Sequence, residues 1–127
     1  MPEAPMTVVL VEDDVGMRGA LARVLEIAGL KVEAFASAED CLASNIATRA
    51  DCLVCDIRLP GESGFELRRR LVRDGSTAPV IFITAHDSPA ARGEARQVGA
   101  AAFLQKPFDG RTLIGAVREA TRSTTGH

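Results

Sequence analysis

Residues 51–61 read DCLVCDIRLPG, an apolar run that ends in an aspartate and is followed by a proline–glycine turn. A run of this length between turn residues is typical of a buried central strand of a parallel sheet. The carboxylate of Asp56 then lies where the chain leaves the sheet, which is the edge at which open α/β sheets bind ligands. A charged side chain there costs desolvation free energy unless a cation or hydrogen-bond donors meet it. Asp56 is therefore the first candidate functional residue.

The composition predicts a single globular domain. The chain has 127 residues, of which 46% are hydrophobic, and its 17 acidic and 15 basic residues give a net charge of −2. This balance argues against direct nucleic-acid binding by this segment. No apolar run reaches the roughly 18 residues of a membrane span, and the N-terminus lacks a signal-peptide pattern. We therefore expect a cytoplasmic protein that does not act at a membrane.

Strand-like and helix-like segments alternate along the chain. Apolar runs predict strands at residues 7–11, 30–36, 51–56, 80–84 and 101–105. Apolar residues at helical spacing follow each of them, and the predicted helix N-caps include Ser37, Ser63, Ser88 and Asp109. Five strands alternating with five helices predict an α/β fold with one parallel sheet covered on both faces.

The predicted domain occupies residues 7–120. Residues 1–6 form an N-terminal extension in this interpretation. The polar segment 121–127 is expected to be a flexible tail or the start of a linker. No internal repeat or interdomain linker interrupts the domain.

Polar and charged side chains follow four of the predicted strands at the same edge of the sheet. They are Glu12, Asp13 and Asp14 after the first strand, Asp56 at the end of the third, Thr84 at the end of the fourth and Lys106 after the fifth. Crowded carboxylates repel one another, so the site favours a cation, and oxygen ligands with room for water suit Mg²⁺. A lysine and a hydroxyl can bind phosphate oxygens. An aspartate nucleophile, a divalent cation and a lysine together indicate phosphoryl transfer to a carboxylate.

Each of these residues alone has an ordinary structural explanation. An aspartate at a strand end is usually a turn former or a helix cap, a threonine is common in strands, and a lysine is usually solvated. Asp14 is expected only to complement the dipole of the helix that follows it. What favours a phosphoacceptor site is the coincidence of acid, acid, hydroxyl and amine, delivered to one edge by four separate segments.

Four motifs resemble those of the receiver domain of two-component response regulators. They are Val11-Glu12-Asp13-Asp14 with Met17-Arg18, Asp56-Ile57-Arg58-Leu59-Pro60-Gly61, Phe82-Ile83-Thr84-Ala85 and Gln105-Lys106-Pro107-Phe108. The similarity extends from about Thr7 to Ala120, and the stretches PVIFIT at 79–84 and KPF at 106–108 look most like the FixJ-like subgroup. This resemblance implies a CheY-like, doubly wound (βα)5 fold of the flavodoxin type, with strand order 2-1-3-4-5.

The resemblance also assigns roles at the predicted site. Asp56 would accept a phosphoryl group from the phosphohistidine of a sensor histidine kinase. Asp13 and Asp56 would bind Mg²⁺ together with the backbone carbonyl of Arg58, and Glu12 would act through water. Lys106 would bind the phosphate. Such a domain phosphorylates and dephosphorylates itself and is not an enzyme that turns over an external substrate.

A switch is implied as well. Thr84 and Phe103 would be the switch pair, and the peptide bond between Lys106 and Pro107 would be cis. The switch would alter the face formed by the fourth helix, the fifth strand and the fifth helix, for a homodimer partner or a C-terminal output domain, with transcription regulation as the expected output. The chain departs from many relatives at Glu12, which replaces an aspartate, and from some at Phe103, which replaces a tyrosine and cannot hydrogen-bond.

The sequence argues against three other classes of protein. A phosphatase of the haloacid dehalogenase type needs a second aspartate two residues after the nucleophile, where this chain has Arg58. A flavodoxin-like cofactor binder needs a phosphate-binding loop after the first strand, where the acidic cluster would repel phosphate. A pseudo-receiver that acts only as an interaction module usually lacks a site residue, and none is missing here. A phosphorylation assay with Mg²⁺ separates all three.

Two further motifs have structural explanations. Cys52 and Cys55 match C-x-x-C, but positions three apart in a strand point to opposite faces, which predicts buried hydrophobic side chains and no metal or redox site. Arginines at 68–70 and 73 fall on the outer side of the third helix, which predicts a solvated face and no nucleic-acid patch. The apolar stripe of that helix is predicted to comprise Phe65, Leu67, Leu71 and Val72.

Overall fold

The structure, a computed structural model, describes residues 5–125, in which five strands and five helices alternate. The strands are β1 Thr7–Val11, β2 Lys31–Phe35, β3 Cys52–Asp56, β4 Val80–Thr84 and β5 Ala102–Gln105. The helices are α1 Val15–Ile27, α2 Ala38–Ser44, α3 Gly64–Arg73, α4 Pro89–Gln97 and α5 Gly110–Thr125. A 3₁₀ turn at Ala47–Arg49, which was not predicted, joins α2 to β3. Among these described residues, no helix combines the length and the apolar character that a membrane span requires.

The strands form one parallel sheet in the order β2-β1-β3-β4-β5, which confirms the predicted fold. The register pairs Asp56 at the end of β3 with Ile83 on β4, and Thr84 at the end of β4 with Gln105 at the end of β5. Neighbouring strands therefore end at nearly the same level. The residues predicted to form the site leave the sheet at this one edge.

Hydrophobic clusters cover both faces of the sheet, and the cysteines are divided between them. Cys52 lies in the cluster under α1 and α5, whereas Cys41 and Cys55 lie in the cluster under α2, α3 and α4. Burial raises the pKa of the Cys41 and Cys52 thiols to about 12. All three thiols are free and buried. The prediction that Cys52 and Cys55 are small buried hydrophobic side chains on opposite faces is confirmed.

Polar residues cap the helices where the sequence predicts. Ser37, Ser63 and Ser88 each accept the backbone N–H three residues further on, at 3.1, 3.2 and 3.0 Å. Asp14 accepts in the same way at the start of α1, and Asp109 does so at the start of α5, both at 2.8 Å. Such caps satisfy backbone donors that have no partner within the helix. Asp14 thus has the helix-terminus role predicted for it.

The predicted C-terminal boundary at residue 120 lies within the last helix. Helix α5 continues to Thr125, so most of the segment expected to be a flexible tail is helical. Thr121 is buried, and its hydroxyl donates to the Val117 carbonyl at 2.8 Å, which satisfies the polar group within the helix. Residues 126–127, like residues 1–4 of the predicted N-terminal extension, lie outside the described part of the chain. Met6 of that extension packs against the sheet.

Two predictions for α3 also need correction. Arg68 was expected on the solvated side, but it is partly buried, and its guanidinium donates to the carbonyls of Ala78 at 2.6 Å and Val98 at 3.2 Å. It therefore ties α3 to the end of α4 and to the loop before β4. Val72, expected in the apolar stripe, is 49% exposed, because it lies about 100° around the helix from the buried Leu71.

Candidate functional site

Lys106 joins two acidic side chains at the carboxyl edge of the sheet. Its Nζ donates to Glu12 Oε1 at 2.7 Å and to Asp56 Oδ2 at 2.8 Å. These residues follow β1, β3 and β5, so side chains that are distant in sequence meet because the parallel strands end side by side. Glu12 is 1% exposed and Asp56 is 6% exposed. The edge thus holds a nearly buried group of two carboxyls and one amine.

The pKa values of these groups depend on one another. Burial raises the pKa of the Glu12 carboxyl, although hydrogen bonds from Lys106 and from the N–H of Asp14 oppose the rise. Burial alone would lower the pKa of the Lys106 ammonium, but its bonds to Asp56 and Glu12 outweigh burial and raise that pKa. Removing one partner from such a group leaves an uncompensated charge that is costly to keep buried.

The same edge fits a magnesium ion. Glu12, Asp13 and Asp56 can each supply one carboxylate oxygen, and these oxygens lie within 4.8 Å of one another. Asp13 is exposed, so water can complete the coordination on the outer side. The N–H of Arg58 donates to Asp56 Oδ1 at 3.0 Å and fixes the orientation of that carboxylate. The donor set is therefore one that Mg²⁺ prefers, and three carboxylates of the predicted metal site lie close together.

Gly64, the first residue of α3, allows the helix to start directly against the site. A Cβ at this position would overlap the backbone carbonyl oxygen of Asp56 and would lie 2.9 Å from the Cys55 sulfur. The Gly64 N–H donates to the carbonyl of Ile57 at 2.9 Å. Only glycine permits this approach, so the α3 N-terminus holds the backbone on both sides of Asp56 in place.

Thr84 is engaged in a local turn. Its side chain is almost completely buried, its hydroxyl oxygen accepts the N–H of His86 at 3.0 Å, and the hydroxyl donates to the His86 carbonyl at 3.4 Å. The hydroxyl is thus used by the loop that leads from β4 to α4. A new acceptor at the end of β3 would have to compete with these bonds.

Phe103 is half-buried on β5 and is covered by a cation from α4. The guanidinium carbon of Arg92 lies 4.7 Å from the centre of the Phe103 ring. The same guanidinium donates to both carboxylate oxygens of Asp87, each at 2.8 Å. Sequence reasoning missed Arg92 and Asp87, because a pair five residues apart across a helix start has no periodic signature.

Arg18 was also missed as a site residue, although it stands in one of the motifs that carry the family resemblance. Its Nη1 donates to the backbone carbonyl of Glu12 at 2.8 Å and to that of Asp13 at 3.4 Å. A side chain at the end of the first turn of α1 therefore holds the backbone of two of the acidic residues.

Comparison with known proteins identifies one family. The family described as "Response regulator receiver domain" matches residues 8–118. Nodulation protein W of Bradyrhizobium diazoefficiens is 42% identical over 114 residues, covering 90% of this chain and 50% of the relative. Transcriptional regulatory protein FixJ of Azorhizobium caulinodans is 41% identical over 118 residues, covering 93% of this chain and 56% of the relative. The chain thus spans about half the length of these curated relatives.

Similarity to solved structures agrees with this family match. The crystal structure of FixJ-N superposes with a TM-score of 0.83 at 35% identity, and the alignment covers 96% of each chain. A CheY-like receiver domain protein from Methanospirillum hungatei has a TM-score of 0.88 at 24% identity, which supports the fold. The cis peptide bond between Lys106 and Pro107 is present, as predicted. The chain belongs to the response regulator receiver domain family.

Proposed function

We propose that this domain acts in the cytoplasm and accepts a phosphoryl group on Asp56 in a Mg²⁺-dependent reaction, with a sensor histidine kinase as the donor. The observation that carries the proposal is the double hydrogen bond of Lys106 to Asp56 and Glu12, beside the exposed carboxylate of Asp13. This arrangement supplies a nucleophile, an amine for phosphate oxygens and an acidic cation site within one small region. The domain undergoes modification itself and does not turn over an external substrate.

Asp56 acts as the nucleophile in the proposed reaction. One carboxylate oxygen attacks the phosphorus of the phosphohistidine, a P–O bond forms, and the P–N bond breaks with its electron pair remaining on the imidazole nitrogen. Lys106 moves its hydrogen bond from the carboxylate to a phosphoryl oxygen, while Arg58 N–H continues to orient the aspartate. Glu12, Asp13 and Asp56 would hold Mg²⁺ with the Arg58 carbonyl, and the ion would neutralise charge on the phosphoryl oxygens.

The proposal includes a switch that transmits the modification. The phosphoryl group brings about two negative charges and new acceptor oxygens to the edge. Thr84 would exchange its bonds to His86 for one of these oxygens and draw the β4–α4 loop toward the site. Phe103 would then change its position on β5, and the α4–β5–α5 face would be read by a second copy, a partner or an output domain that regulates transcription. FixJ, a transcriptional regulatory protein, supports this choice of output.

The test is direct labelling. Incubation with acetyl phosphate or phosphoramidate and Mg²⁺ should add one phosphoryl group that is lost in base, as expected for an acyl phosphate. Asp56→Asn should remain unlabelled. Asp51→Asn is the matched control, since Asp51 lies at the opposite end of β3, is exposed and accepts the N–H of Thr7 at 2.8 Å. Labelling of a serine or threonine, or of Asp56→Asn, would reject the assignment, and no labelling at all would favour a pseudo-receiver.

A further inference from the structure

The β1–α1 loop must present two acidic side chains while it leaves the sheet and enters a helix. The N–H of Glu12 continues the sheet by donating to the Phe35 carbonyl at 3.0 Å. Glu12 Oε2 accepts the N–H of Asp14 at 3.0 Å. These bonds use two N–H groups of the loop and one carboxylate oxygen. The Asp14 N–H shares a peptide plane with the Asp13 carbonyl, so its bond helps to orient that carbonyl, whereas neither bond orients the Glu12 carbonyl.

Arg18 provides the donors for those carbonyls. Its guanidinium reaches back from α1 and contacts the carbonyl oxygens of Glu12 and Asp13 at 2.8 and 3.4 Å. Because the side chain of Asp13 is exposed, its direction depends largely on the peptide planes on either side of it. Both contacts come from one nitrogen, Nη1, so a single side-chain group restrains both peptide planes.

We infer that Arg18 is a positioning residue for the cation site: it fixes the backbone of Glu12 and Asp13 so that their carboxylates converge with that of Asp56. The inference rests on the proposed function, since it takes these three carboxylates as the magnesium ligands. Arg18 itself is not a ligand. It acts on the site only through the loop carbonyls.

Substitution of Arg18 by alanine should change the Mg²⁺ affinity in opposite directions, depending on whether Coulomb repulsion or ligand positioning dominates. A guanidinium close to a cation site repels the cation, so loss of its charge alone would tighten Mg²⁺ binding. Loss of a group that orients metal ligands typically weakens binding, and we expect about a tenfold weaker Mg²⁺ affinity for Arg18→Ala. The sign of the change therefore distinguishes the two effects.

The experiment is a titration of the 127-residue chain with MgCl₂ by calorimetry, without any phosphoryl donor. Arg18→Met is the second variant, because it retains an unbranched side chain of good helix propensity but has no donor for the carbonyls. Arg23→Ala is the matched control, since it removes one positive charge from an exposed position on the same helix. Amide NMR signals of residues 12–14 without Mg²⁺ report directly on the loop.

We expect weaker Mg²⁺ binding for Arg18→Ala and Arg18→Met, unchanged binding for Arg23→Ala, and shifted or broadened loop amide signals in both Arg18 variants. Unchanged or tighter binding by folded Arg18→Ala would overturn it. So would Arg18→Met binding Mg²⁺ as the original chain does. Failure of the original chain to bind Mg²⁺ would instead overturn the proposed function, so the two failures are distinguishable.

Discussion

Two groups of charged side chains in this molecule are held in different ways. The rim comprises Glu12, Asp56 and Lys106, whose side chains are 1%, 8% and 14% exposed. The outer contact comprises Arg92, Asp87 and the ring of Phe103, and its two charged side chains are 48% and 22% exposed. Charges withdrawn from water are costly to separate, whereas exposed pairs contribute little to stability.

This difference assigns different tasks to the two regions. The rim is fixed in one arrangement for a given set of charges, because each buried group depends on its partners. The outer contact can be rearranged at little cost in free energy, since water can replace each of its bonds. A change of charge at the rim therefore needs to supply only a small free energy to shift the population of conformations at the outer face.

The largest expected effect is the loss of Lys106. Lys106→Ala leaves two nearly buried carboxyls facing each other without a cation, and we expect the free energy of unfolding without Mg²⁺ to fall by about 3 kcal/mol. Addition of Mg²⁺ should recover part of the loss. Urea unfolding measures both changes.

Lys31→Ala is the control for Lys106→Ala. Lys31 pairs with Glu33 at 3.8 Å and its side chain is 61% exposed, so the expected loss is below about 0.5 kcal/mol. The raised folded-state pKa of Lys106 also predicts a pH dependence. Its stabilisation is fully present below the ordinary lysine pKa of 10.5 and is lost as the pH rises through the folded-state value. Equal losses for the two lysine variants would contradict the contrast between buried and exposed charges.

A second test uses adjacent arginines on α3. Arg68 binds two backbone carbonyls in a partly buried position, so Arg68→Ala leaves those carbonyls unsatisfied and should cost about 2 kcal/mol. Arg69 forms exposed ion pairs with Glu66 and Glu94, and Arg69→Ala should cost less than about 1 kcal/mol. Urea midpoints of the two variants give the comparison. A larger loss of stability in Arg69→Ala than in Arg68→Ala would show that burial of the side chain does not determine the free-energy cost of its removal.

The smallest effect on stability is expected at the outer contact. Arg92→Ala removes the cation above the Phe103 ring and the partner of Asp87, both near the surface. The urea midpoint should not change measurably, yet the aromatic NMR signals of Phe103 should shift as the ring samples more positions. Arg96→Ala, on the same helix, is the control and should leave the ring signals unchanged. A large loss of stability in Arg92→Ala would show that the outer contact is as rigid as the rim.

The sequence predicts the parts of this arrangement that depend on local pattern. Strand ends and helix caps follow from apolar runs and from residues such as Ser63 and Ser88, so the meeting of Asp56 with Lys106 at one edge could be inferred. The parts that depend on side-chain conformation across elements could not. Arg68 looks like a surface residue in a run of arginines, and its carbonyl partners lie 10 and 30 residues further along the chain.

The same limit applies around the switch residues. The hydroxyl of Thr84 could be placed at the strand end, but its bonds to His86 depend on the path of the following loop. The contact of Arg92 with Phe103 joins α4 to β5, and neither segment alone contains a signal for it. The end of α5 was misplaced because the polar composition after Ala120 resembles that of a tail, whereas Thr121 bonds within the helix.

The most direct test of the account is an NMR titration with beryllofluoride and Mg²⁺, in which beryllofluoride stands in for the phosphoryl group on Asp56. In the original chain, signals should shift both at the rim and across residues 88–120, because the modification is expected to reach the outer face through Thr84. In Thr84→Ala, the rim signals should still shift and the distant signals should not. If the distant shifts survive in Thr84→Ala, the rim is coupled to the outer face by another route and the proposed switch is wrong.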